Sequence, residues 1–88
     1  MKISYNPAKR AETLAARGLD FEDAARLFEG HIYTGVDDRF DYGEVRYLTY
    51  GRIDGVAIVV VWTKRDDEVR IISMRRAHAE EMKNVEMD

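Results

Sequence analysis

Glu44 and Arg46, Thr63 and Arg65, and Glu68 and Arg70 each stand two residues apart in strand-like sequence. Each pair therefore points to one face of its strand. Two short links join these segments: Asp54-Gly55, a strong hairpin signal, and Asp66-Asp67, a weaker one. If both are two-residue turns, Arg65 falls opposite Glu44 and Glu68, and Thr63 falls opposite Arg46 and Arg70. The six side chains then converge at one end of one sheet face, which Leu48, Val61 and Ile72 continue as apolar surface. A slip of one residue in either turn scatters the group.

Such a cluster has the parts for cutting RNA without a metal. A base must take the proton of the ribose 2′-hydroxyl, and cations must stabilise charge building on the phosphate. Arg46, Arg65 and Arg70 suit the second task, because guanidinium is a planar, always charged fork of donors. Glu44, held among arginines, stays ionised and is a weak base at neutral pH; it is equally suited to orient an arginine. An exposed ladder of ion pairs, each worth about 0–1 kcal/mol, accounts for the same residues, and spacing alone favours the ladder.

Arg75-Arg76 is expected where the last strand meets the last helix. Two cations there either reach a cleft beside the sheet or open a solvated helix, at a small cost against the helix dipole. His78 follows them, and histidine is a side chain suited to act as a general acid or base near neutrality; a solvated helix position is the stronger reading. His31, after a helix-ending glycine, reads as a surface loop residue. Trp62, Tyr42, Tyr47 and Tyr50 are of a type that stacks on bases, although core packing is the stronger reading for Trp62. There is no HExxH, no ligand-spaced His/Asp set, no P-loop and no GxGxxG. Neither a metal nor a nucleotide cofactor is expected.

The elements that must position these residues follow from punctuation and period. Lys2 to Tyr5 alternates as a short strand. Asn6-Pro7 reads as an N-cap and a first-turn proline, Ala8, Ala11, Leu14 and Ala15 recur at helical spacing, and Gly18 stops the helix. Asp20 opens a second helix with Phe21, Ala24, Ala25, Leu27 and Phe28 on its apolar stripe, ended by Gly30. Strands are expected at Ile32 to Gly35, Glu44 to Tyr50, Val56 to Thr63 and Glu68 to Ser73, with a polar connection from Asp37 to Gly43. Ala57 to Val61 is apolar at every position, as burial on both faces requires, so that strand is central. Ala77 to Met82 reads as a third helix. The expected class is α+β: two N-terminal helices and a C-terminal helix on a mainly antiparallel sheet of four to five strands, one domain over residues 1–88.

With 88 residues the chain buries a modest share of its surface, so a partner would add to its stability. It has no cysteine, which fits a reducing cytosol. Its longest apolar run, Val56 to Trp62, is far too short to span a bilayer, so a cytoplasmic protein without membrane contact is expected. The net charge of −3 argues against nucleic acid until it is located. The residues after His78 carry all of it, and a body of balanced charge still holds a local basic patch.

In order and spacing these segments resemble the BrnT family, the toxin half of a bacterial toxin–antitoxin pair. The resemblance rests on Tyr5-Asn6-Pro7-Ala8-Lys9, Gly18-Leu19-Asp20-Phe21-Glu22-Asp23-Ala24, Phe28, Asp38-Arg39, Tyr42-Gly43-Glu44-Val45-Arg46-Tyr47, Gly51, Thr63-Lys64-Arg65 and Arg70-Ile71-Ile72-Ser73-Met74-Arg75-Arg76-Ala77. It covers nearly the whole chain. It implies a RelE-like fold, a ribonuclease that stops translation, and neutralisation by a BrnA-type antitoxin. It also implies operator DNA contacted only through the antitoxin complex. By resemblance Arg65, Arg75 and Arg76 are active-site cations, with Glu44 and Lys9 behind them. The expected catalytic set is thus Arg65, Arg75, Arg76 and Glu44, and the expected RNA-binding set Lys9, Arg46, Arg70 and His78. The chain departs from the family pattern at Thr13, at Ala16-Arg17-Gly18 and in its acidic last helix, which would suit a basic antitoxin surface. Two other readings stand beside the toxin. One is a family member of weak or no activity that binds antitoxin and regulates its operon. The other is an unrelated α+β interaction domain with a solvated arginine ladder.

Overall fold

The computed structural model describes residues 1–87. Five strands form one sheet in the order β1-β5-β4-β3-β2: β1 Ile3–Tyr5, β2 Tyr33–Asp37, β3 Arg46–Ile53, β4 Val56–Arg65 and β5 Glu68–Arg76. The all-apolar strand β4 is central as expected, with Ile58, Val59 and Val60 at 1% exposure or less. The sheet is mixed rather than antiparallel throughout. β1 runs parallel to β5, pairing Ile3 with Val69 and Tyr5 with Ile71, while the other pairings are antiparallel. The two paired strands are first and last in the chain, separated by both N-terminal helices and by β2, β3 and β4, and a three-residue strand gives no local sign of its direction.

Helix α1 (Pro7–Arg17) starts where Asn6 accepts hydrogen bonds from the backbone N–H of Ala8 and Lys9. It stops at Gly18, whose φ of +70° suits glycine. The second helix begins as a tight 3-10 turn, Phe21–Asp23, and continues as α2 (Ala24–Glu29). Phe21, Ala24 and Leu27 are fully buried against Ile58, Val60, Ile71 and Met74. Large apolar side chains buried in this way stabilise the fold by about 1.5–3 kcal/mol each. The first helix behaves differently from expectation. Its apolar stripe of Ala8, Ala11, Leu14 and Ala15 faces solvent, and α1 buries no residue. It is tied down by polar groups: Arg10 forks onto Asp20 at 2.7 and 3.0 Å, and the Arg17 guanidinium donates to the Met74 carbonyl at 2.8 Å.

The hairpin registers match the spacing argument. Ile53 pairs with Val56 and Leu48 with Val61; Arg65 pairs with Glu68 and Thr63 with Arg70. Asp54 and Gly55 both have positive φ, as a two-residue turn of matching twist demands. Beyond that point β5 breaks register. Trp62 pairs with Ile71 but Val61 pairs with Ser73, so Ile72 is an extra, bulged residue and does not continue the row of Leu48 and Val61. β5 also runs to Arg76, three residues further than expected, and the last helix starts at Ala79 rather than Ala77, as a 3-10 turn (Ala79–Met82) continued by α3 (Lys83–Glu86).

One glycine is dictated by packing. A Cβ on Gly51 would come within 2.9 Å of Ile32 and 3.0 Å of Leu27, where α2 meets β3. Gly51→Ala is therefore expected to lower stability by about 1–3 kcal/mol. Chemical denaturation beside wild type measures it.

Candidate functional site

The two faces of the sheet have different cover. Ile58, Val60, Ile71 and Met74 face the N-terminal helices. The alternate residues of β4, Val59, Val61, Thr63 and Arg65, face the other way, together with their register partners Leu48, Arg70, Ser73 and Arg75. On this second face Arg75 binds Glu81 of the C-terminal turn, so that turn lies over the Val59 end of the face, with Met82 and Val85 buried. The other end carries the predicted cluster.

There the structure joins Glu44, Arg46 and Arg65. One Glu44 oxygen accepts from the Arg46 Nε at 3.2 Å, and the other lies 3.5 Å from the Arg65 Nη2. Thr63, buried beside them, donates to the Val45 carbonyl at 2.6 Å and fastens the segment that carries Glu44. Arg70 stands opposite Thr63 and makes no hydrogen bond or ion pair with the described residues. Glu68 turns instead to Lys2 at 3.2 Å. Five of the six converging residues thus stay on the cluster, and one serves the neighbouring edge strand.

The remaining predicted residues separate. Successive residues of a strand point to opposite faces, and β5 includes both Arg75 and Arg76, which sequence reading set at a strand–helix junction. Arg75 pairs with Val59 and stays on the open face. Arg76 pairs with Ile58 and reaches the helix side, donating to the Arg17 carbonyl at 2.8 Å. It lines a cavity of about 190 Å³ with Asp20, Asp23, Arg26 and Asp54. Lys9 is exposed on α1, in a shallow cleft of about 270 Å³ that also touches the bulged Ile72 and Ser73. His78 is exposed ahead of the last turn, and its backbone N–H donates to Glu81 at 2.9 Å. Trp62 belongs to the helix side: it stacks on Tyr47 with centroids 4.6 Å apart, and its indole N–H donates to Thr49 at 2.8 Å. His31 is exposed but is bound to the Val85 carbonyl at 2.8 Å.

Two features escaped the sequence reading. Glu81 grips Arg75 through two bonds of 2.8 Å each, and this contact holds its carboxyl down at about 2 against the opposing effect of burial. Asp37, read as the start of a polar connection, ends β2 with its carboxylate buried. Arg39 and Tyr42 bind it, and Arg39 above all holds it at about 2. A strand-end Asp two residues before an Arg shares its face, which was the available signal. No three of the described His, Asp and Glu side chains are grouped to hold a metal ion, and no described helix is long and apolar enough to cross a membrane.

Taken as geometry, the open face offers arginines set by carboxylates and aromatic rings over a floor of Leu48 and Val61. Comparison with protein families decides what this frame belongs to. The model of the family described as ribonuclease toxin, BrnT, of type II toxin-antitoxin system matches residues 5–81. The chain belongs to the BrnT family. The match runs from Tyr5 to Glu81, so it takes in the open-face residues of β2 to β5 and stops at the carboxylate that binds Arg75. Membership in a type II toxin–antitoxin family implies ribonuclease activity and an antitoxin partner. No curated protein matches the chain.

Asp20, Asp37 and Glu81 are each held near 2 by an arginine, so each binds protons less well folded than unfolded. Their stabilisation is complete above the usual carboxylate range and is lost as pH falls from about 4.5 toward about 2. Thermal unfolding across that range is expected to show a falling midpoint. Glu81→Gln should flatten part of the fall.

Proposed function

We propose that this BrnT protein is a RelE-like, metal-independent ribonuclease that cuts RNA on the open sheet face, acts in the cytoplasm by stopping translation, and is neutralised by a BrnA-type antitoxin. Operator DNA would be reached only through that antitoxin complex. The observation that carries the reading is the Glu44 carboxylate shared between Arg46 and Arg65, with Arg70 on the same face and in no ion pair among the described residues. In such a site the ribose 2′-oxygen attacks phosphorus and its proton passes to a base, for which Glu44 is the candidate. The arginines neutralise the charge gathering on the phosphate oxygens. The bond to the 5′-oxygen breaks, that oxygen takes a proton from solvent, and a 2′,3′-cyclic phosphate remains. Two arginines holding the base also orient it, fixing its lone pair toward the hydroxyl.

One observation favours the quieter reading, in which the protein binds antitoxin and regulates its operon with little activity of its own. Arg75, a cation by family resemblance, is already paired with Glu81 of the same chain. Induced expression separates the two readings. Growth arrest by wild type, with RNA cleavage by the purified protein, is expected. Arg65→Ala and Arg46→Ala should each reduce cleavage on the order of a hundredfold, and Arg76→Ala less than Arg75→Ala. A folded wild type that neither arrests growth nor cuts RNA would leave the binding-module reading.

A further inference from the structure

Asp37 presents a problem that the fold solves in a particular way. Its side chain is 1% exposed, and an ionised carboxylate so buried must be matched by donors. Arg39 supplies two, from Nε at 2.8 Å and Nη2 at 2.9 Å, and the Tyr42 hydroxyl supplies a third at 3.1 Å. The Arg39 side chain itself is 64% exposed. Two of its five N–H groups are used inward, so the rest of the fork is held in a fixed plane and turned to solvent.

This clamp is continuous with the cluster. The ring of Tyr42 carries the Arg46 guanidinium, 4.1 Å from its centroid, and Arg46 shares Glu44 with Arg65. Asp37 pairs with Arg46 in the β2–β3 register, which sets both on the open face. From the other side Arg39 lies within electrostatic reach of Arg75 and of Tyr50.

We propose that Arg39, clamped by Asp37 and Tyr42, binds a backbone phosphate of the RNA strand lying along the open face. This rests on the ribonuclease reading and extends its site from the Glu44 cluster toward Arg75. The competing account is that the Asp37–Arg39 pair only fastens the loop from 38 to 45. The two differ in what a nucleic acid would feel.

The test measures binding of the 88-residue protein to a short fluorescein-labelled 2′-O-methyl RNA, which cannot be cut, by anisotropy over a range of salt. The double variant Asp37→Asn/Arg39→Gln keeps the net charge and leaves no buried charge alone, so a loss reflects the site rather than the total field. It is expected to bind about five-fold or more weakly, with the slope of log affinity against log salt smaller by about 0.7, one phosphate contact on a single strand. Arg39→Lys keeps the charge but not the fork. It should bind about two- to three-fold more weakly with the slope unchanged. Circular dichroism confirms that each variant is folded, and either alone decides the question if the other is not. Wild-type affinity and slope in a folded variant, beside weakened binding by Arg65→Ala, would overturn the inference and leave the ribonuclease reading standing. A wild type that binds the strand through Arg39 but cuts no unmodified RNA would do the reverse. Absence of binding by wild type would overturn both.

Discussion

Side chains alternate along a strand, so one inserted residue reverses the face of everything after it. The bulge at Ile72 is such an insertion, and the last part of the molecule depends on it. Without it, Met74 would fall opposite Val59 on the open face, and Arg75 would point toward the helices. With it, Met74 enters the core beside Phe21 and Leu27, Arg75 joins the face that holds Arg65 and Arg70, and Arg76 crosses to the helix side. One extra residue thus completes the apolar core and selects which arginine of an adjacent pair faces the cluster.

The open face holds four of its arginines by a common device. Arg39 is set by Asp37, Arg46 and Arg65 by Glu44, and Arg75 by Glu81. Each carboxylate is less exposed than the arginine it holds, apart from Glu44 beside Arg46, where the two are nearly equal. The negative partner is thus drawn inward and guanidinium edges are left to solvent. A face built this way carries little net charge yet presents donors in fixed directions. It follows that the overall charge of −3 says little about phosphate. A ladder of ion pairs and a phosphate site are not opposites here, since the pairs are what would preorganise the donors.

The C-terminal segment gives the face its boundary. Met82 and Val85 are buried, Glu81 takes Arg75, Glu86 reaches Arg52 and the Val85 carbonyl meets His31. Acidic residues that in sequence suited a basic antitoxin surface thus serve as specific partners for arginines of the same chain, Glu81 for Arg75 nearby and Glu86 for Arg52 far away. The same contacts explain why Val59 is buried on a face that remains open around Arg65.

Local chemistry made much of this legible. Turn residues at Asp54-Gly55 and Asp66-Asp67 set the hairpin registers, the unbroken apolar run of Ala57 to Val61 marked the central strand, and period-two spacing brought Glu44, Arg46, Thr63, Arg65 and Arg70 to one face. Those are determined within a few residues of chain, so the sequence alone carries them. The parallel pairing of β1, the outward turn of the α1 apolar stripe, the bulge at Ile72 and the pairing of Arg75 with Glu81 were decided only by tertiary structure. Each is a choice between alternatives that are equal locally: strand direction, helix face, register and partner. What separates them is burial of residues such as Phe21, Met74 and Met82 in the folded chain, and that free energy exists only once the chain has closed on itself.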